Sequence, residues 1–298
     1  MELFQLRSFL KVAQEGSITR AAEGLFLTQP AVTQHIQSLE KELGASLLDR
    51  TGRGVQLTEA GHALADYARK SLSILDECKQ VIADLGSCKA GTLIIGAGVT
   101  TSIFRLPRWL GIFRKNYPNV EMIVRTGRSK EVAAMALNRE IDLGFVTSSV
   151  EHADLRITGL YDESIQLVVS PNWTEKRDSI TAHDLCEAPL ILFQKNSGFR
   201  DYLDRVFADG GITPKIKMES DSLEAIKSFV ESGLGVSFLP TSAVEEEIAS
   251  GALIAVETSC LPKLIRKTSA IYRVDRYLSA SARAFLDICA GRKPKKLI

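Results

Sequence analysis

The sequence predicts an α+α/β chain: three short helices and a hairpin, then one long helix, then a C-terminal α/β domain. Three patterns carry this. Apolar stripes at three- and four-residue spacing fill the first 45 residues, interrupted at Gly16 and Gly44. Leu64, Ala68, Ser71, Leu75, Cys78, Ile82 and Leu85 then alternate steps of four and three. From Thr92 onward, short apolar runs alternate with amphipathic stretches. A length of 298 residues suits about two domains at about 150 residues each. With 45% hydrophobic and 24% charged residues the composition is that of a folded globular chain, and 21 Gly and 9 Pro are too few for low complexity.

The first helix follows from Leu6, Phe9, Leu10 and Ala13 and stops at Gly16-Ser17. Ser17 caps a short second helix, whose adjacent Ala21 and Ala22 let another helix approach closely. After a break at Phe26-Leu27, Thr28 is an N-cap and Pro30 sits in the first turn, where a missing N–H does little harm. Val32, Ile36, Leu39 and Leu43 form the apolar stripe of this third helix, and Gly44 stops it. Pro30, Gln34, Gln37 and Lys41 fall on the opposite face, flanked by Thr33 and Ser38. Residues 47–58 are two short apolar runs around a glycine turn, a small hairpin or wing with Arg50 and Arg53 at its tip. The long helix, Thr58 to about Leu85, would extend about 42 Å and is expected to pair with a copy of itself. Residues 86–91 have hinge composition.

In the α/β part, strands are expected at 93–96, 120–124, 143–146, 165–169, 190–193, 236–239, 253–256 and 269–272, in a mostly parallel sheet. Helices are expected at 102–116, 130–138, 200–208, 222–232 and 278–289. No internal repeat is evident.

Several function classes lose support. Five scattered cysteines with no C-x-x-C pair indicate neither a disulfide framework nor a zinc site. The four histidines lie singly, without ligand spacing, and neither a G-x-S-x-G elbow nor an H-E-x-x-H helix occurs, so no catalytic metal or acyl-transfer site, no enzyme activity and no cofactor are expected. Gly96 and Gly98 follow a strand, but Thr101 stands where a dinucleotide fingerprint needs its third glycine. No apolar run reaches the ~18 residues of a membrane span and no signal-peptide pattern opens the chain, so a cytoplasmic protein without membrane contact is expected. Charge is uneven: residues 1–90 hold 10 Lys/Arg against 11 Asp/Glu, and residues 266–298 hold 9 against 2. Nucleic-acid binding by the N-terminal part would therefore rest on motif geometry and a few placed groups. The basic run from Arg292 is read as a solvated end.

By periodicity alone, the first three helices fit either a small packed bundle or a helix-turn-helix. The wording separates the two. The run 16–25, then Thr28-Gln29-Pro30-Ala31-Val32-Thr33-Gln34-His35-Ile36, then Leu39-Glu40, Leu43-Gly44, Leu47, Arg50, Arg53, Leu57-Thr58 and Ala60-Gly61 closely resembles the LysR-type transcriptional regulators. Gln34 departs from the family, which often has arginine there. The resemblance implies a winged helix-turn-helix in residues 1–58, a linker helix and hinge in 59–90, and an effector domain in 91–298. The effector domain would resemble periplasmic binding proteins, with one subdomain from 91–161 and 266–298 and the other from 162–265.

On that reading Thr28, Thr33 and Ser38 hydrogen-bond phosphates, and Gln29 and Gln34 reach base edges, Gln being suited to adenine N6 and N7. Pro30 and Gln37 share the exposed face, and Arg50 and Arg53 serve backbone or minor-groove contact unless solvent alone holds them at the wing tip. His35 is read as packing or solvated.

In the effector domain, residues 96–102 place glycines and then hydroxyls at a helix start, and residues 196–200 repeat the arrangement; either segment could be plain capping, or the two could clamp a small anion. The resemblance matches Thr100, Thr101 and Ser102 to the first subdomain's ligand loop and puts Arg128, Phe145 and Thr147 near other pocket-lining segments; Phe199 and Arg200, at the second helix start, are further candidate effector contacts. Expected partners are double-stranded DNA, a small-molecule effector of anionic character, RNA polymerase, and copies of the chain. Those copies would form a dimer through the linker helix and, by the resemblance, a dimer of dimers.

Overall fold

A computed structural model describes residues 1–51, 54–85, 91–147, 150–173, 179–195 and 197–292. The chain divides into two compact units: Met1–Gly86 with Asn138–Glu140, and Ser87–Leu137 with Ile141–Ile298.

The first unit contains α1 (Leu3–Glu15), α2 (Ile18–Leu25), α3 (Gln29–Leu43), the hairpin β1 (Leu48–Thr51) and β2 (Gly54–Leu57), and α4 (Glu59–Leu85). Each boundary has a local cause. The Ser17 and Thr28 hydroxyls accept the backbone N–H groups of Arg20 and Ala31, satisfying donors that a helix start leaves unpaired. Gly16 and Gly44 end α1 and α3 in the left-handed conformation, which costs glycine little. Phe9, Val12, Ala21, Ala22, Val32, Ile36 and Leu39 form the core, closed by Leu47 and by Ala65, Ala68 and Leu72 of α4. The Glu40 carboxylate accepts the Leu47 N–H at 2.8 Å and thereby ties α3 to the start of the hairpin. Val55 N–H donates to Gly16 O at 3.0 Å, holding β2 against the α1–α2 turn. The start of α4 crosses the hairpin so closely that a Cβ on Gly61 would lie 2.1 Å from Leu47 O.

The second unit has two lobes. In the first, β3 (Gly91–Ala97) pairs in parallel with β4 (Val120–Thr126) and β5 (Leu143–Val146), and α5 (Val99–Phe104), α6 (Leu106–Asn116), α7 (Ser129–Leu137) and α12 (Ala280–Cys289) cover the sheet. Phe113, Phe145, Trp109 and Phe285 dominate its core. One helix was expected over 102–116, but the chain breaks at Arg105, because Pro107 in the first turn of α6 has no N–H to donate back into α5. The second lobe holds β7 (Ser179–Ile180), the parallel pair β8 (Leu190–Phe193) and β9 (Ile216–Ser220), β10 (Ser237–Pro240) and β11 (Ile254–Thr258). Its helices are α8 (Ala182–Glu187), α9 (Gly198–Asp209), α10 (Leu223–Glu231) and α11 (Thr241–Ser250). Its cores gather around Phe207 and Phe238 on one side and Ile226 and Val244 on the other.

Two long strands, β6 (Leu155–Val169) and β12 (Ile265–Arg273), run through both lobes and pair with each other, with a bulge between Thr268 and Ser269. The sheet order β4-β3-β5-β12-β6-β11-β7, with β10 also on β6, is therefore mixed and not mostly parallel as expected. The reason is topological: the chain leaves the first lobe on β6 and returns on β12, so these strands must be antiparallel. Among the described residues, no helix is long and apolar enough to cross a membrane.

Candidate nucleic-acid interface and effector site

Helix α3 has one face in the core and one outside. Val32, Ile36 and Leu39 are buried; Thr28, Gln29, Pro30, Gln34 and Gln37 are exposed, and Thr33 and Ser38 sit half-buried at the margins. The Thr33 hydroxyl donates to Gln29 O at 2.9 Å, so its lone pairs remain for an outside donor. His35 packs inward, its Nδ1 2.8 Å from Ser8 Oγ and its ring 4.8 Å from that of Phe4. Arg50 lies on β1 opposite Val55. Arg53 lies outside the described residues.

The second constellation lies where the lobes meet. Strand β3 ends at Ala97, Gly98 N–H donates to Phe145 O at 3.3 Å, and α5 begins. Thr101 is buried, and among the described residues the hydroxyls of Thr101 and Ser102 have no hydrogen-bond partner, although such groups are nearly always paired when buried. With six residues, α5 has little helix dipole to offer, so these hydroxyls carry the polarity of the segment. Thr147 directly follows β5 and its N–H donates to Ser129 Oγ. Arg128 is exposed at the start of α7, where its N–H donates to Glu131.

Two expected site residues are placed elsewhere. Phe145 is fully buried between Trp109 and Phe285, a core ring and not a pocket wall, because its position on β5 points into the first lobe. The Arg200 guanidinium is held by Asp204 and Glu219, both at 2.7 Å, and donates to Phe193 O at 3.0 Å. It is 2% exposed, and these internal partners, which hold it above the usual arginine range against the opposing effect of burial, occupy it within the second lobe. Asn196 lies outside the described residues, but Ser197 does cap α9.

In their place the structure brings in a cluster that sequence reasoning missed. Glu163 on β6 is the register partner of Arg266 on β12, and Tyr161 that of Thr268. The Glu163 carboxylate accepts from Arg266 Nη2 at 2.5 Å, from the Ser242 hydroxyl at the start of α11, and from Arg105 Nη2 at 3.5 Å. Arg105 stacks over the Tyr161 ring at 5.0 Å and Arg266 over the Phe199 ring at 5.5 Å. Burial works to raise the Glu163 carboxyl, but Arg266, Ser242 and Arg105 outweigh it and hold the group below the usual carboxylate range. Burial pushes the Tyr161 phenol up. A signal for the cluster is present in the sequence: Tyr161 and Glu163 alternate with Ile165 and Leu167 on one strand face, as Arg266 and Thr268 do with Leu264 and Ala270. Charged residues at inward-facing strand positions need internal partners.

Comparison with known proteins covers both units. Residues 3–62 match the family described as "Bacterial regulatory helix-turn-helix protein, lysR family", and residues 87–293 match "LysR substrate binding domain". A probable RuBisCO transcriptional regulator from Cyanophora paradoxa is 35% identical over 292 residues, covering 95% of this chain and 89% of its own length. The transcriptional activator CmpR of a Synechocystis strain is 34% identical over 288 residues, covering 96% and 93%. Among solved structures, a full-length OxyR variant from Pseudomonas aeruginosa superposes with a TM-score of 0.72 at 25% identity, covering 98% of this chain and 94% of that one. CbnR bound to its target DNA superposes with a TM-score of 0.71 at 24% identity, covering 97% and 99%, and shares the fold. The helix-turn-helix of the first unit, the two-lobed α/β domain of the second and the matches along the whole chain thus identify it as a member of the LysR family of DNA-binding transcriptional regulators.

Proposed function

We propose that residues 1–58 read an operator through α3 and its wing, that residues 59–90 join two copies of the chain, and that the domain formed by residues 91–298 responds to a small anion held between its lobes. The division of α3 into a core-locked face and a free polar face carries the DNA reading: Gln29, Pro30, Gln34 and Gln37 stand outward from a helix that cannot rotate without exposing Val32, Ile36 and Leu39. Gln29 lies in the first turn, the part of a recognition helix that meets base edges. Purified protein incubated with genomic fragments should retain a selected subset. Gln29→Ala should then cost about 1 to 3 kcal/mol on the selected site and little on random DNA. Equal losses on both would refute base reading by this residue. Arg53→Ala should weaken all sequences alike and flatten the salt dependence, as loss of a phosphate contact does.

The effector reading is supported by the hydroxyls of Thr101 and Ser102, without partners among the described residues, at the C-terminal edge of β3, the edge at which parallel α/β sheets take ligands. A ligand shifts the regulator only by binding its two assembly states with different affinity. In a thermal-shift screen of metabolites, anions should raise the melting temperature, and Thr101→Val or Ser102→Ala should abolish the rise. Anion responses unchanged in both variants would move the site elsewhere. This reading requires a location with access to DNA, hence the cytoplasm, and no cofactor. RNA polymerase is included as a partner because CmpR is named an activator.

A further inference from the structure

Between the lobes, one carboxylate serves two guanidinium groups. Glu163, buried on β6, accepts from Arg266 through one oxygen and from Arg105 and Ser242 through the other. Within this cluster one positive charge has no counter-charge. The donors are also incompletely used. Arg266 is 6% exposed, yet its Nε–H has no partner among the described residues, and the same holds for the buried Arg105 Nε. Guanidinium forks favour planar, two-point contact with oxyanions, and unpaired buried donors of this kind are costly unless a further acceptor satisfies them.

We infer that Arg105 and Arg266 form an oxyanion subsite in which Glu163 is a tethered internal anion, competing with a carboxylate or phosphate group of the effector. This rests on the effector reading above and adds to it the charged half of the site, with Arg266 in the role the sequence assigned to Arg200. The placement also couples charge to movement. Arg105 belongs to the first lobe, Ser242 to the second, and Glu163 and Arg266 to the two strands that cross between them. An arriving anion that draws Arg105 from Glu163 loosens a bridge that includes both lobes, while a cation or neutral ligand leaves it in place.

The test uses the full-length protein and calorimetric titration with inorganic phosphate and, separately, acetate, at constant ionic strength set with chloride. Glu163→Gln removes the internal anion while keeping its shape, and should bind one of the two probes at least tenfold more tightly than wild type. Adding Arg266→Met to Glu163→Gln should erase that gain. The better probe identifies the anion class. Should Glu163→Gln fail to fold, Arg105→Gln in the wild-type background is the substitute, because Arg105 is partly exposed; it should weaken phosphate or acetate binding at least fivefold. A folded Glu163→Gln protein that binds both probes no better than wild type overturns the inference, as does a gain that survives Arg266→Met. Either result leaves the effector reading standing if metabolite stabilisation still depends on Thr101 and Ser102. Loss of that dependence, with the probe results as expected, would instead remove those hydroxyls and keep the arginine subsite.

Discussion

Phe26 occupies the turn between α2 and α3 with φ +55° and 97% of its surface exposed, so the turn takes a bulky side chain in a conformation suited to Gly or Asn. Its N–H closes α2 by donating to Ala22 O and Glu23 O, a bond that any residue can make. Phe26→Asn should therefore stabilise the first unit by about 0.5 to 1 kcal/mol, from relief of a left-handed penalty of about 1 to 2 kcal/mol less the cost of altering the side chain. A lower melting temperature in the variant would show that the ring has packing value the exposed surface does not reveal. Glu163 gives a residue-level expectation in pH. Its folded carboxyl lies below its ordinary value, so its stabilising effect is complete above the unfolded value near ~4.3 and is lost as pH falls through the folded one. Unfolding free energy measured between about pH 6 and pH 2 should fall less steeply in Glu163→Gln than in wild type. An unchanged acid slope would mean that Glu163 is not held as described.

At the scale of elements, the crossing of α4 over the hairpin depends on Gly61. A methyl group there would meet Leu47 O, a backbone atom that cannot swing aside, so Gly61→Ala should destabilise the first unit by about 1 to 3 kcal/mol. Retention of wild-type stability, measured by denaturant unfolding, would mean that the helix can retreat without loss. Elements with their own periodicity were legible: α1 to α4 and most strands of the second unit follow from stripes and runs that solvent alone imposes. β9 was not legible, because Lys215, Lys217 and Glu219 interrupt Ile216 and Met218, and the strand exists only through its parallel partner β8. The site divided in the same way. The α3 face and the Thr101-Ser102 hydroxyls could be read locally. Glu163 and Arg266 are 103 residues apart and meet only through strand register, and Arg200 looked available because Glu219, its distant partner, could not be known.

For the molecule as a whole, the proposed pairing of two copies would use the outer face of α4. Ala65, Ala68 and Leu72 face the core of the first unit, whereas Tyr67, Ile74, Leu75 and Ile82 are exposed. Light scattering at micromolar concentration should find a dimer or larger assembly, and Leu75→Glu with Ile82→Glu should shift it toward monomer; a wild-type monomer would refute pairing. The long return strand has a consequence for how the protein is made. In the sheet, β12 lies between β5 and β6, yet the ribosome produces it more than a hundred residues after β5. A nascent chain halted before Ile265 has a complete helix-turn-helix but a first lobe split down its middle, with Glu163 lacking the arginine it pairs with. Synthesis thus passes through a stage at which the DNA-binding part can fold and the sensing part cannot. A stop codon in this last stretch should leave a regulator that is deaf to its signal while its first unit still folds.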